Sequence, residues 1–243
     1  MTRALVLVAF AALALPTATS AGGGITVFAA SSLTTVLPRI DSGVRYSFAG
    51  SDSLELQIRN GAPADVFASA SPAQVEALFR GHLVSRPRWF ATNTLVVIVP
   101  RANPAHIRSV FDLRKPGVKV VVGNPTVPIG VYTRRVLARL RVRSAVLANV
   151  VSETIDVKGV VAAVALGQAD AGFVYRTDAR AVAGKVQTVP IPARAQPQVR
   201  YEIAVVAASS KRTAAASYVQ KVLSPLGRKT LVAAGFGVPP GRR

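Results

Sequence analysis

Apolar residues along the chain gather into short runs, and most runs hand over to a segment where they recur at helical spacing. Residues 25–30 are almost wholly apolar, as in a strand covered on both faces, and Leu33, Val36 and Leu37 then fall on one helical face. Residues 44–49 predict a second strand. Gly50-Ser51-Asp52-Ser53 leads from it into a helix with Leu54 and Ile58 on a shared face, and Gly61 is placed to end that helix. A third strand is expected at 64–69. Ser71-Pro72-Ala73-Gln74 then combines a cap residue, Pro in the first turn and Gln three after the cap, with Val75, Leu78 and Phe79 as the buried face.

Residues 94–99 are the most β-branched run and are stopped by Pro100, which predicts a central strand carrying the chain into a second lobe. A capped turn at Ser109-Val110-Phe111-Asp112 and a strand at 118–123 follow. The loop 124–130 feeds a helix over 131–140 with Val136, Leu137 and Leu140 inward. A short strand at 149–152 precedes a helix capped by Asp156, in which Val157, Val160, Val161 and Val164 share a face before Gly167. Strands at 171–175 and 201–207 and helices at 214–223 and 227–234 complete the pattern. Strands alternating with helices predict an α/β architecture with parallel sheet.

Half of the 243 residues are hydrophobic, enough for one large or two modest domains. Met1-Thr2-Arg3, an apolar run from Ala4 to Leu15 and small residues up to Ala21 describe a secretory signal peptide at 1–21, and no later run is long enough to span a membrane. The remainder is expected to be soluble outside the cytoplasm. Cysteine is absent, which excludes disulfides, thiolate metal sites, a Cys nucleophile and a lipid-modified Cys. The formal net charge is +19, but the arginines are scattered as singles and pairs without a stripe of interleaved aromatics. That pattern describes a solvated basic surface, not a nucleic-acid site.

Catalytic chemistry has few carriers. His82 and His106 have no acidic partner at catalytic or metal-ligand spacing, and no nucleophile elbow, zinc signature, dinucleotide fingerprint or Walker loop occurs. Asp65, Asp156, Asp170 and Asp178 fit caps and turns. What recurs is a hydroxyl or a bare backbone N–H at a strand-to-helix junction: Ser31-Ser32, Gly50-Ser51, Pro128-Ile129-Gly130 and Asp156-Val157, with Tyr175 closing a strand. Taken alone, Ser31-Ser32 is an ordinary N-cap. Together these junctions describe a pocket that binds a small oxyanion through neutral donors and helix N-termini.

Ile25-Thr26-Val27-Phe28-Ala29-Ala30-Ser31-Ser32-Leu33, Phe48-Ala49-Gly50-Ser51, the stretch from Gly61 to Ala70, Val127-Pro128-Ile129-Gly130-Val131-Tyr132 and the stretch from Gly172 to Ala179 occur in order along nearly the whole chain after the leader. Together they resemble the periplasmic molybdate-binding proteins of ABC transporters. The resemblance implies a two-lobed type II periplasmic-binding-protein fold, with lobe 1 at 25–93 plus 207–240, lobe 2 at 94–206, and the oxyanion in the cleft between them. It implies that Ser32 and Ser51 each give a hydroxyl and an N–H, Ile129 and Val157 a backbone N–H, and Tyr175 its phenolic hydroxyl. It further implies a non-enzymatic, monomeric, periplasmic receptor without cofactor, which carries molybdate or tungstate to the membrane permease and ATPase of an importer. A receptor for sulfate, phosphate or another oxyanion is the alternative, and an enzyme or signalling domain on the same fold is a more distant one. The sequence departs from the family pattern at Ile129, commonly Ala, whose bulk either narrows the pocket or packs behind it. It departs also at Asp52, a carboxylate next to Ser51, and at Glu202, where Pro is frequent.

Overall fold

The alternating runs fold into two five-stranded sheets flanked by helices, in a computed structural model that describes residues 24–239. The expected leader at 1–21 lies outside the described residues. The first half of the chain contributes β1 (Thr26–Ala30), a 3-10 turn (Ser31–Leu33), α1 (Leu37–Ile40), β2 (Arg45–Ala49), α2 (Ser51–Arg59), β3 (Val66–Ser69), α3 (Pro72–Arg80) and β4 (Arg88–Asn93). There follow β5 (Leu95–Pro100), β6 (Val120–Gly123), α4 (Pro128–Arg139), α5 (Arg143–Leu147), β7 (Val150–Thr154), α6 (Val157–Ala165), β8 (Ala171–Tyr175), α7 (Arg176–Ala181) and β9 (Val186–Pro190). The described chain closes with β10 (Val199–Val205), α8 (Arg212–Leu223) and α9 (Pro225–Ala233).

The strand orders are β2-β1-β3-β10-β4 and β7-β6-β8-β5-β9. Each sheet has a parallel trio, β2-β1-β3 in one and β7-β6-β8 in the other. The sheets are nevertheless mixed, not parallel throughout as the alternation predicts, because β10 runs antiparallel to β3 and β4, and β5 antiparallel to β8 and β9. Parallel neighbours need a long crossover, which the helices between the trio strands supply. β5 and β10 enter from the other sheet without one.

The chain passes from the first sheet to the second over Thr94, between β4 and β5. It returns before Val199, since β10 pairs with β3 and β4. This places 199–205 in the first lobe and corrects the expected boundary at 206. The two crossings are clasped by Gln196, whose amide accepts from Leu95 N–H (3.0 Å) and donates to Leu95 C=O (2.8 Å).

Period-two alternation sorts the first sheet's side chains to two faces. Val27 and Ala29 join the larger core, while Phe28 and Phe67 face Leu54, Ile58, Val75 and Leu78 under α2 and α3. Phe79, expected in that buried face, is 41% exposed. It lies one position past Leu78, at the edge of the helix's apolar stripe. The helix expected after β1 is only a 3-10 turn and the four residues of α1, where Pro38 lacks the N–H that would continue a helix begun at Ser31.

Candidate functional site

The parallel strands of both sheets end at one cavity. Ala30 to Ser32 after β1, Ala49 to Ser51 after β2 and Ala70 after β3 form one wall; Val127 to Ile129 at the start of α4, Asp156-Val157 at the start of α6 and Tyr175 at the end of β8 form the other. The cavity and its opening to solvent together hold about 220 Å³ of space free of protein atoms. All five residues singled out from sequence, Ser32, Ser51, Ile129, Val157 and Tyr175, are in its lining. No Lys, Arg or His is among the lining residues, despite the basic surface.

Each junction leaves a donor free for a local reason. Ser32 sits in the 3-10 turn, where its side chain caps nothing and its Oγ lies 3.0 Å from Tyr201 Oη. Ser51 is the first residue of α2; its Oγ accepts from Ala70 N–H (3.1 Å) and likewise caps nothing. The cap expected of Ser31-Ser32 is therefore absent, and the Ser32 and Ser51 hydroxyls are held by groups from elsewhere in the lobe. Ile129 and Val157 lie in the first turns of α4 and α6, where backbone N–H groups have no carbonyl four residues back. The axes of α2, α4 and α6 thus bring three positive dipole ends to the cavity.

Tyr175 is 1% exposed, and its hydroxyl has no hydrogen-bond partner. A buried hydroxyl without a partner costs about 1–3 kcal/mol, so its position asks for an acceptor in the cavity. Burial pushes the Tyr175 phenol well above its ordinary range, with Tyr201, Tyr132 and Asp178 adding to it, so it stays protonated and able to donate. Its ring is set edge-on against Tyr132 (6.5 Å) and Tyr201 (6.0 Å).

The departures from the family pattern resolve geometrically. Ile129 is buried in the core, and its Cγ2 occupies the space over Gly123 where a side chain would otherwise stand. Its bulk packs behind the loop. Asp52 is not in the cavity lining; its Oδ2 accepts from the Thr126 hydroxyl of the opposite lobe at 2.6 Å, with Asn124 Oδ1 a second acceptor for that hydroxyl at 2.8 Å. Asp52 makes no cap, and its Oδ1 is buried without a partner. Glu202 lies at a register shift between β10 and β4 and pairs loosely with Arg200 at 3.8 Å. Burial pushes its carboxyl up, partly offset by Arg200.

One carboxylate does line the cavity. Asp156 caps α6, its Oδ1 accepting from Gly159 N–H at 3.0 Å. Behind the cavity, Lys158 Nζ pairs with buried Asp178 at 2.8 Å, tying α6 to α7 and so holding Val157 and Tyr175 in register. Burial pushes the Asp178 carboxyl up, and Lys158 opposes that. The sequence reading missed this pair, and it missed Tyr201 and Asn93 behind Ser32. All four are ordinary residues by local pattern, linked to the site only through the fold. Among the described residues no group of His, Cys, Asp and Glu is arranged to hold a metal ion. The arrangement suits a small anion bound by O–H and N–H donors.

The sequence matches the family model described as bacterial extracellular solute-binding protein over residues 25–237. It is 40% identical over 231 residues to the molybdate-binding protein ModA of Mycobacterium tuberculosis (strain H37Rv), covering 91% of this chain and 87% of that one. The fold superposes on the periplasmic molybdate-binding protein of Azotobacter vinelandii with a TM-score of 0.80, at 21% identity, covering 89% of this chain and 100% of that one. The sulfate-binding protein SubI of M. tuberculosis H37Rv gives a TM-score of 0.74 at 22% identity, covering 88% and 86%. The architecture is thus the two-lobed type II periplasmic-binding-protein fold.

Proposed function

Since the chain belongs to the bacterial extracellular solute-binding protein family, we propose that it is the molybdate receptor of an ABC importer and takes tungstate at the same site. The observation that carries this reading is the convergence of five neutral donors on one cavity between the lobes, with the Tyr175 hydroxyl buried there and unpartnered. Likeness in sequence to ModA of M. tuberculosis supports molybdate as the anion.

Ser32 and Ser51 contribute hydroxyls and backbone N–H groups, Ile129 and Val157 their N–H groups, and Tyr175 its phenol. A tetrahedral dianion spreads its charge over four oxygens, and each can be met by charge-assisted hydrogen bonds from fixed directions. Three helix N-termini add positive potential without a counter-charge. The five donors come from both lobes, so the complete shell exists only when the lobes are closed. Ligand therefore favours the closed form by binding it better, and that form is what the permease and ATPase subunits recognise. The receptor works outside the cytoplasm as a monomer, binds no cofactor and performs no chemistry; its basic surface speeds the encounter with anions at low salt.

Thermal unfolding with molybdate, tungstate, sulfate and phosphate in turn tests this. At a hundredfold the dissociation constant a ligand stabilises by about 2.7 kcal/mol, which for a chain of this size raises Tm by roughly 5–10 °C. Molybdate and tungstate should give that shift and phosphate none. No shift with molybdate refutes the reading, and a larger shift with sulfate transfers the site to a sulfate receptor.

A further inference from the structure

We propose that Tyr201 and Asn93 are positioning residues that fix the Ser32 hydroxyl as a hydrogen-bond donor toward the cavity, so that this corner of the site takes an unprotonated anion oxygen. The inference rests on the reading of the cavity as an oxyanion site and adds to it the origin of its selectivity.

The direction of the relay follows from its one invariant member. A backbone N–H can only donate, and Thr94 N–H donates to Asn93 Oδ1 at 2.9 Å. That orients the Asn93 amide, whose Nδ2 then faces Thr177 Oγ1 at 2.9 Å and Tyr201 Oη at 3.4 Å. Tyr201 accepts from Asn93, and its single proton is directed to Ser32 Oγ at 3.0 Å. Ser32 accepts it. Its own proton is then left for the cavity that Ser32 lines.

Tyr201 and Asn93 are buried and are not themselves lining residues, and the Tyr201 hydroxyl reaches the cavity through Ser32. Burial holds the Tyr201 phenol far above its ordinary range, which keeps its proton in the relay. Ser51 is polarised in the same sense by a simpler device, because Ala70 N–H donates to its Oγ. Each of the two hydroxyls thus has one lone pair filled from within the lobe and its proton free, which favours donation to an anion oxygen. An oxyanion that presents a proton to Ser32 gives up the bond from that free proton, so the corner discriminates in favour of an unprotonated oxygen.

A double-mutant cycle read with molybdate isolates this coupling. The variants are Tyr201→Phe, Ser32→Ala and the double substitution, with affinities taken from the molybdate dependence of the unfolding temperature, which reaches millimolar constants. Phe keeps the edge-on packing of ring 201 against Phe90, Tyr175 and Phe236. Tyr201→Phe should weaken molybdate binding roughly tenfold with Ser32 present and less than about twofold in the Ser32→Ala background. Equal losses in both backgrounds overturn the proposal, since the Tyr201 hydroxyl would then act independently of Ser32.

Asn93→Asp provides a second arm of near-identical shape. A carboxylate can only accept, so it draws the Tyr201 proton away from Ser32 and turns a Ser32 lone pair toward the cavity. Its added charge repels molybdate in either background, but the loss should be at least roughly fivefold larger with Ser32 present than in the Ser32→Ala background. The same loss in both backgrounds contradicts the relay. A wild-type protein that binds no oxyanion refutes the proposed function itself, whereas binding with an additive cycle refutes only this inference.

Discussion

Tyr175→Phe removes a hydroxyl that is buried without a protein hydrogen-bond partner, and it should act in opposite directions on the ligand-free and the ligand-bound closed forms. The ring keeps its contacts with Tyr132 and Tyr201, so the change is confined to one oxygen. In the empty closed form that oxygen costs about 1–3 kcal/mol, a factor of roughly 5 to 150 in the balance between open and closed lobes. In the occupied form it donates to an anion, a bond worth about 1.5–3 kcal/mol, so its loss weakens molybdate roughly 10- to 150-fold. Spin labels on the two lobes read the distance between them, and calorimetric titration reads the affinity. The variant should be more closed than wild type without ligand and yet bind molybdate more weakly. Unchanged molybdate affinity would refute the assignment of Tyr175 as a donor, and an unchanged interlobe distance would refute the cost assigned to its unpaired hydroxyl.

Gly130→Ala should cost stability and binding together, because a Cβ there would overlap the backbone oxygens of Asn124 and Gly123 and push the loop bearing Ile129 N–H off its position. We expect at least roughly a tenfold loss of molybdate affinity. Gly61→Ala, at φ +81° with open space around it, should lower Tm alone. Thr126→Val removes the hydroxyl that reaches across the cleft to Asp52 and should weaken molybdate up to about tenfold in titration; wild-type affinity would show that this bond does not assist closure. In acid, Asp41 is nudged up by burial but held below its ordinary range by Lys221 and Gly43 N–H, and Asp112 is held low by Lys115 and the N–H groups of Arg108 and Ser109. A depressed carboxyl stabilises the fold above its ordinary value and loses that stabilisation as pH falls through the lower folded value. Tm should therefore decline below about pH 4, and the decline should flatten in the Asp41→Asn, Asp112→Asn double variant.

Local pattern carried most of the fold because the central strands are continuous apolar runs, as in residues 27–30 and 95–99. The strands it missed, β4 and β9, are at sheet edges, where one side needs no partner and Arg88, Gln187 and Thr188 are tolerated. α7 was missed because it follows Tyr175 without a break and carries charged residues on half of its positions. The direction of β10 and the earlier return crossing could not be read, since pairing partners are set by the tertiary path and not by the run itself.

That the five proposed donor residues share one cavity was legible for a physical reason: each sits at a strand-to-helix junction, and such junctions have a local signature of small or hydroxyl residues before helical spacing. What aims them does not. Ser32 and Tyr201 are 169 positions apart, Asn93 and Tyr201 108, and no spacing rule joins them. The same holds for Lys158 and Asp178 behind Val157 and Tyr175. Ile129 and Asp52, odd by family pattern, became intelligible only with Gly123 and Thr126 beside them.

A crystal structure of the protein grown with molybdate, with diffraction collected at the molybdenum absorption edge, tests the central claim most directly. The account predicts a single strong anomalous peak in the cavity, with Ser32, Ser51 and Tyr175 hydroxyls and the Ile129 and Val157 N–H groups within hydrogen-bond distance of its oxygens. A peak elsewhere on the chain, or an empty cavity at saturating molybdate, would contradict it.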